Sequence, residues 1–165
     1  MENRIQDSSR RRRAGNAVLE AALVMAPLFA LIFAIVDFGY AMFLRSTFQH
    51  AVREGARYAV TYQVSSGGQD NSIATVVQTN ALGLLNGATV GNGTATCTIC
   101  IRYYNPNTLA FTTANTPGNI VEVSVENYGF TWMAPIWRSQ TGVTITARAA
   151  DRTEALGGGQ SVPAR

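Results

Sequence analysis

Between Ala21 and Val36 the chain carries no charge, and only Asp37 interrupts the apolar run before Leu44. Wound as an α-helix at about 1.5 Å per residue, residues 21–44 span roughly 36 Å, enough to cross a hydrocarbon slab about 30 Å thick with some tilt. Fourteen Leu, Ile, Val and Phe residues lie between Ala17 and Leu44. On an insertion scale they contribute together roughly −4 to −8 kcal/mol, against up to about +3 kcal/mol for Asp37. The rival is a buried core helix, but it would be unusually long and apolar on every face. The run therefore predicts a membrane-spanning helix.

A length of 165 residues accommodates one such segment and one small globular domain. The net charge is only +3, and its placement matters more than its size. Arg4 and the arginines at 10–13 precede the apolar run, against Glu2 and Asp7. The positive-inside bias keeps that end cytoplasmic and sends everything after about Arg45 across the membrane. One short arginine cluster abutting an apolar helix is a topology signal rather than a nucleic-acid footprint, so no nucleic-acid partner is expected. Residues 1–15, polar and basic, are expected to be a cytoplasmic leader that is disordered on its own.

The expected architecture is α+β. A membrane helix over 16–44 continues as a helical extension over 45–63 into a head over 64–152, and a flexible tail closes the chain over 153–165. In the extension Phe48, Val52, Ala56, Ala59 and Val60 recur at helical spacing, with Arg53 and Arg57 on another side. Ala51, Gly55 and Ala59 form a ladder of small residues that permits close backbone approach, either to other subunits or beneath the chain's own sheet. Glycines near 67 break the helix, and Ser72 can cap a second one reaching about Asn86. Alternation of Cys97, Ile99, Ile101 and Tyr103, of Val121, Val123 and Val125, and of Val143, Ile145 and Ala147 predicts an antiparallel β-sheet.

Candidate chemistry is sparse. Cys97 and Cys100 sit among β-branched residues with no helix following, unlike a redox CxxC at a helix N-terminus. Positions three apart on a regular strand face opposite ways, so a bridge between them demands a turn or bulge; an intrachain disulfide and free buried thiols both remain open. Two cysteines and His50 fall short of the four ligands of a structural zinc site. No HExxH, GxSxG or P-loop pattern occurs. No cofactor, metal or small-molecule substrate is expected, and the chain does not read as an enzyme. Asp37, ionisable within an apolar helix, is either an interhelical contact or, more simply, a group snorkelling to water.

The order of basic leader, Gly15, Asn16-Ala17-Val18-Leu19-Glu20 and long apolar helix resembles a type IV prepilin. Arg13-Ala14-Gly15, Glu20-Ala21-Ala22-Leu23 and Pro27 also resemble the TadE family of pilin-like proteins from tight-adherence (Flp) pilus systems, with Ala21 where an aromatic residue is usual. Arg53-Glu54-Gly55-Ala56-Arg57-Tyr58-Ala59 is similar to that family, as is the ending from Asn127-Tyr128-Gly129-Phe130 to Arg152-Thr153-Glu154. The resemblance implies cleavage by a prepilin peptidase after Gly15, leaving Asn16 as the new N-terminus and Glu20 fifth. A major Flp pilin is much shorter, so the resemblance implies a minor pilin or pseudopilin. It would reside in a bacterial inner membrane with its head extracytoplasmic, and could enter a pilus. Its partners would be the lipid bilayer, the peptidase, other pilin or pseudopilin subunits and the assembly platform. Glu20 has a physical rationale of its own: the helix dipole favours a carboxylate near the N-terminus, where it can receive the amine of Asn16 on itself or a neighbour. A solvated interfacial glutamate is the other reading. The alternative function is an uncleaved, membrane-anchored binding module whose head captures a ligand near Trp132 to Trp137.

Overall fold

The computed structural model describes residues 2–65, 67–93, 96–132, 143–157 and 161–165, with side chains from Ala17 onward. Two helices, α1 (Glu2–Val60) and α2 (Gln69–Asn80), are followed by β1 (Val90–Gly91), β2 (Ile99–Tyr104), β3 (Phe111–Thr112), β4 (Ile120–Phe130) and β5 (Val143–Arg152). The fold class is α+β. Two compact units divide the chain, one carrying Met1–Tyr40 and the other Ala41–Thr131 with Thr141–Arg165.

In the first unit, α1 begins at Glu2. The leader thus continues the helix where its composition predicts disorder. Arg, Glu and Gln are good helix formers, and the apolar segment supplies the costly nucleus from which they propagate. Pro27 lies inside the helix without ending it.

The second unit is the head. Leu44, Phe48, Ala51, Val52, Ala56 and Ala59 form the buried stripe of α1, while Arg53 and Arg57 are exposed, as the spacing predicts. The stripe meets Ile73, Ala74 and Val77 of α2 and the inward face of the sheet: Ile99, Ile101 and Tyr103, then Val121, Val123 and Val125, then Ile145 and Ala147. Gly55 stands at the junction of all three layers. A Cβ there would lie 2.5 Å from Val77 Cγ2 and 3.3 Å from Val123 Cγ1.

α1 stops at Val60, short of the expected Gln63, because Tyr62 turns left-handed at φ 53°. That conformation is unfavourable for a side chain. It is held by the Tyr62 hydroxyl, which donates to the buried Asn115 carbonyl at 2.9 Å. α2 starts earlier than expected, after Gly68, and ends at Asn80 rather than near Asn86. Leu82 and Gly83 both adopt positive φ just beyond it and close the helix with a turn.

Sheet order is β1-β2-β4-β5, with β3 also on β2. Every pairing is antiparallel except β1 with β2, so the sheet is mixed rather than antiparallel throughout. Between Val125 and Tyr128 a bulge interrupts the β4–β5 register, with Asn127 at φ 56°. The extra residue shifts the side-chain alternation by one. Tyr128 thereby meets Phe48 edge to face, ring centres 4.7 Å apart.

Thr153 and residues 163–165 hold specific partners within the stretch whose composition predicts a flexible tail. Thr153 is buried and donates its backbone N–H to the Asn119 carbonyl at 2.8 Å. The Ala164 carbonyl accepts from Gln69 N–H at 2.8 Å, and Arg165 pairs with Asp70.

The three-layer contact at Gly55 is open to a direct test. Gly55→Val drives two methyl groups into β-branched neighbours that cannot swing away, and the head should lose about 1–3 kcal/mol. Gly39→Val is the control, because a Cβ there meets nothing within 4 Å. Denaturant unfolding of the full chain in detergent, followed by near-UV circular dichroism, should separate the two; equal midpoints would contradict this packing.

Candidate membrane and assembly surfaces

From Ala17 to Tyr40 most side chains of α1 are exposed, and the large apolar ones are exposed around the whole circumference. Leu23 is 77% exposed, Val24 61%, Met25 50% and Phe33 41%; at 3.6 residues per turn they stand at roughly 0°, 100°, 200° and 280° round the axis and cannot share one helix face. The helix segment Ala17–Val60 is long and apolar enough to cross a membrane, with a mean hydropathy of 2.4 in its most apolar window. Water would be a poor solvent for such a surface, and hydrocarbon a good one.

Glu20 is exposed on this helix, one turn into the described side chains. Gly15 and Asn16 lie within α1, and their surroundings fall outside the described side chains. Asp37 is 1% exposed. Its carboxylate is therefore engaged within the protein, and does not reach water as the snorkelling reading expects.

Ala51, Gly55 and Ala59 are buried in the head's own core. The small-residue ladder thus serves the chain's own α1–α2 and α1–sheet contacts, leaving that face closed to other subunits. Of the expected ligand surface at Trp132 to Trp137, only Trp132 falls among the described residues.

Cys97 and Cys100 are joined in a disulfide, Cα atoms 5.5 Å apart. Cys97 precedes β2 rather than belonging to it, and this irregular stretch brings the two sulfurs to one side. Gly91 makes room, since a Cβ there would sit 2.7 Å from Cys97 Cβ. Among the described residues no cluster of His, Cys, Asp and Glu could hold a metal. A groove of about 520 Å³ lies along Met42, Arg45, Ser46, Gln49, His50 and Arg53, consecutive turns of one helix face. It brings a basic surface together but no carboxylate, nucleophile or facing element among the described residues.

The sheet's other face carries a charge cluster that residue spacing does not reveal. Arg102 donates to both carboxylate oxygens of Glu126, at 2.7 and 3.2 Å, and lies 3.5 Å from Glu122. Arg148 approaches the same Glu126 at 3.1 Å, and the Ser124 hydroxyl donates to it at 3.0 Å. The Arg102 hydrogen bonds, supported by Ser124 and Arg148, hold the Glu126 carboxyl below its ordinary 4.5 against the opposing effect of burial.

Comparison with known protein families gives a match to the family described as TadE-like protein, over residues 15–57. The likeness is thus confined to part of α1. No curated protein and no solved structure matches the chain. The TadE-like segment starts at Gly15, takes in Glu20, Pro27 and Asp37, and ends at Arg57, just past the three-layer contact at Gly55. It thus joins the apolar helix to the first element of the head core. It does not reach the family-like ending after Asn127. TadE-like proteins have a pilin-like N-terminal apolar helix, are tied to the Tad pilus system and are not known for catalysis.

The lowered Glu126 pKa fixes a pH dependence. A carboxyl whose folded value is depressed adds stability above its unfolded value and loses that contribution as pH falls through the folded one. The thermal midpoint of the full chain in detergent should therefore drop on acidification below about pH 4.5. Arg102→Met should flatten that drop; equal slopes in the two proteins would contradict the assignment.

Proposed function

We propose that the protein is a minor pilin or pseudopilin-like structural component of a tight-adherence pilus system. The single observation that carries this reading is the conjunction of a TadE-like match over 15–57 with apolar side chains exposed all round the same helix. The helix sits in the inner membrane with the arginine-rich end cytoplasmic. A prepilin peptidase cuts after Gly15, where a side chain would obstruct the enzyme. Asn16 becomes the N-terminus, and its amine is paired by Glu20 on the same or a neighbouring chain, which biases helices into register. Copies then pack laterally with each other, with other pilin-like subunits and with the assembly platform. The disulfide between Cys97 and Cys100 supports a head outside the reducing cytoplasm.

Processing is the experiment that tests this. Mass spectrometry of the chain purified from membranes should find Asn16 as the N-terminus, and Gly15→Val should accumulate as precursor. An intact leader, or equal behaviour of the variant, would favour the uncleaved anchored module instead.

A further inference from the structure

Where its apolar run ends, α1 carries a basic face on the side away from its buried stripe. Met42, Arg45, Ser46, Gln49, His50 and Arg53 line the groove of about 520 Å³ there. At 3.6 residues per turn they fall within roughly 140° of one another, whereas Leu44, Phe48 and Ala51 point into the head. A second groove, of about 330 Å³, shares Met42 and Arg45 and is bounded across from them by Thr144, Ile145 and Thr146 of β5. Gln49 ties helix to strand, its Nε2 donating to the Arg148 carbonyl at 3.0 Å. Arg45 therefore stands where the two grooves meet, with the exposed Thr144 and Thr146 opposite. Arg102, Arg148 and Arg165 each have a carboxylate oxygen within 3.1 Å. Arg45 and Arg53 are exposed and have no ion-pair partner among the described residues.

Position decides which anion suits these two cations. Counted from Leu44, Arg45 lies roughly 1.5 Å and Arg53 roughly 14 Å further along the axis. The polar layer on either side of the hydrocarbon is about 5–8 Å deep. Helical side chains lean toward the N-terminus, here toward the bilayer, which brings the Arg53 guanidinium back to that layer. Met42, 51% exposed, carries the groove on into the apolar run, where an acyl chain would lie. The positive-inside bias disfavours arginines at this end of the helix, so two without a carboxylate call for another counter-charge. A guanidinium meets a phosphodiester through parallel hydrogen bonds, and Ser46, His50 and the β5 threonines are further donors. We propose that this groove binds the phosphodiester headgroup of an anionic phospholipid, in the leaflet from which the head emerges. The proposal rests on the membrane-spanning reading of α1 and adds a lipid class to it.

Two measurements on the full chain test it. Flotation with phosphatidylcholine vesicles reports membrane insertion alone. Native mass spectrometry from detergent reports which lipid stays bound when phosphatidylglycerol and phosphatidylcholine of equal chain length compete. The chain should float, and should retain phosphatidylglycerol at least about ten-fold over phosphatidylcholine. Arg45→Gln with Arg53→Gln should cut that preference at least about five-fold, whereas Arg45→Lys with Arg53→Lys should keep most of it. Arg57→Gln, outside the groove, should leave it unchanged. The arginines at 10–13 are common to all four proteins, so the differences report the groove. Three results would overturn the proposal and leave the membrane reading standing: no preference in the parent chain, the same loss with lysines as with glutamines, or equal effects of the double glutamine variant and Arg57→Gln. A chain that does not float would remove the membrane reading, and the lipid site with it.

Discussion

An apolar helix whose large side chains face outward on every side has to find a solvent other than water, and the rest of the molecule depends on that constraint. Between Val18 and Phe43 the exposed residues include leucine, isoleucine, valine, methionine and phenylalanine on all faces. Leaving such a surface in water would cost more than folding a small head returns, since whole domains are stable by only about 5–15 kcal/mol. In hydrocarbon the same surface is favourable, and the helix satisfies its own backbone hydrogen bonds.

The same helix changes character at Leu44, its first buried leucine. From there the apolar residues contract to one stripe, arginines occupy the opposite side, and the helix becomes the central element of an α+β core. Gly55 is where that change is completed, since only a residue without a Cβ lets α1 reach α2 and β4 together. That the TadE-like match ends at Arg57 fits this division: the matched segment covers the apolar helix and the packing surface that carries the head.

How much of this is legible in the sequence depends on whether the feature repeats. The long apolar helix, the α1 stripe and the Val121-Val123-Val125 strand repeat over many residues, and their patterns find each of them. Features set by one backbone angle are not legible: Tyr62 ends α1 early, and Asn127 shifts β4 by one residue, each through a positive φ at a single non-glycine residue. Long-range polar partners are hidden for a different reason. The Arg102–Glu126 pair joins neighbouring strands, and Arg165–Asp70 joins chain segments that sequence alone gives no reason to bring together. Glycines at 157–159 suggest a loose tail, whereas Pro163, Ala164 and Arg165 hold specific partners on the head. Asp37 misleads because its local setting predicts water, and the fold buries it.

Lipid contact is the central claim, and labelling from within the bilayer measures it most directly. A carbene-generating lipid probe, activated in membranes that contain the full chain, should modify residues 18–43 around the entire helix circumference. It should leave Ile99, Ile101, Val121 and Val123 unlabelled. Labelling confined to one side of 18–43, or reaching those strand residues equally, would contradict a helix bathed in lipid and a head core closed to it.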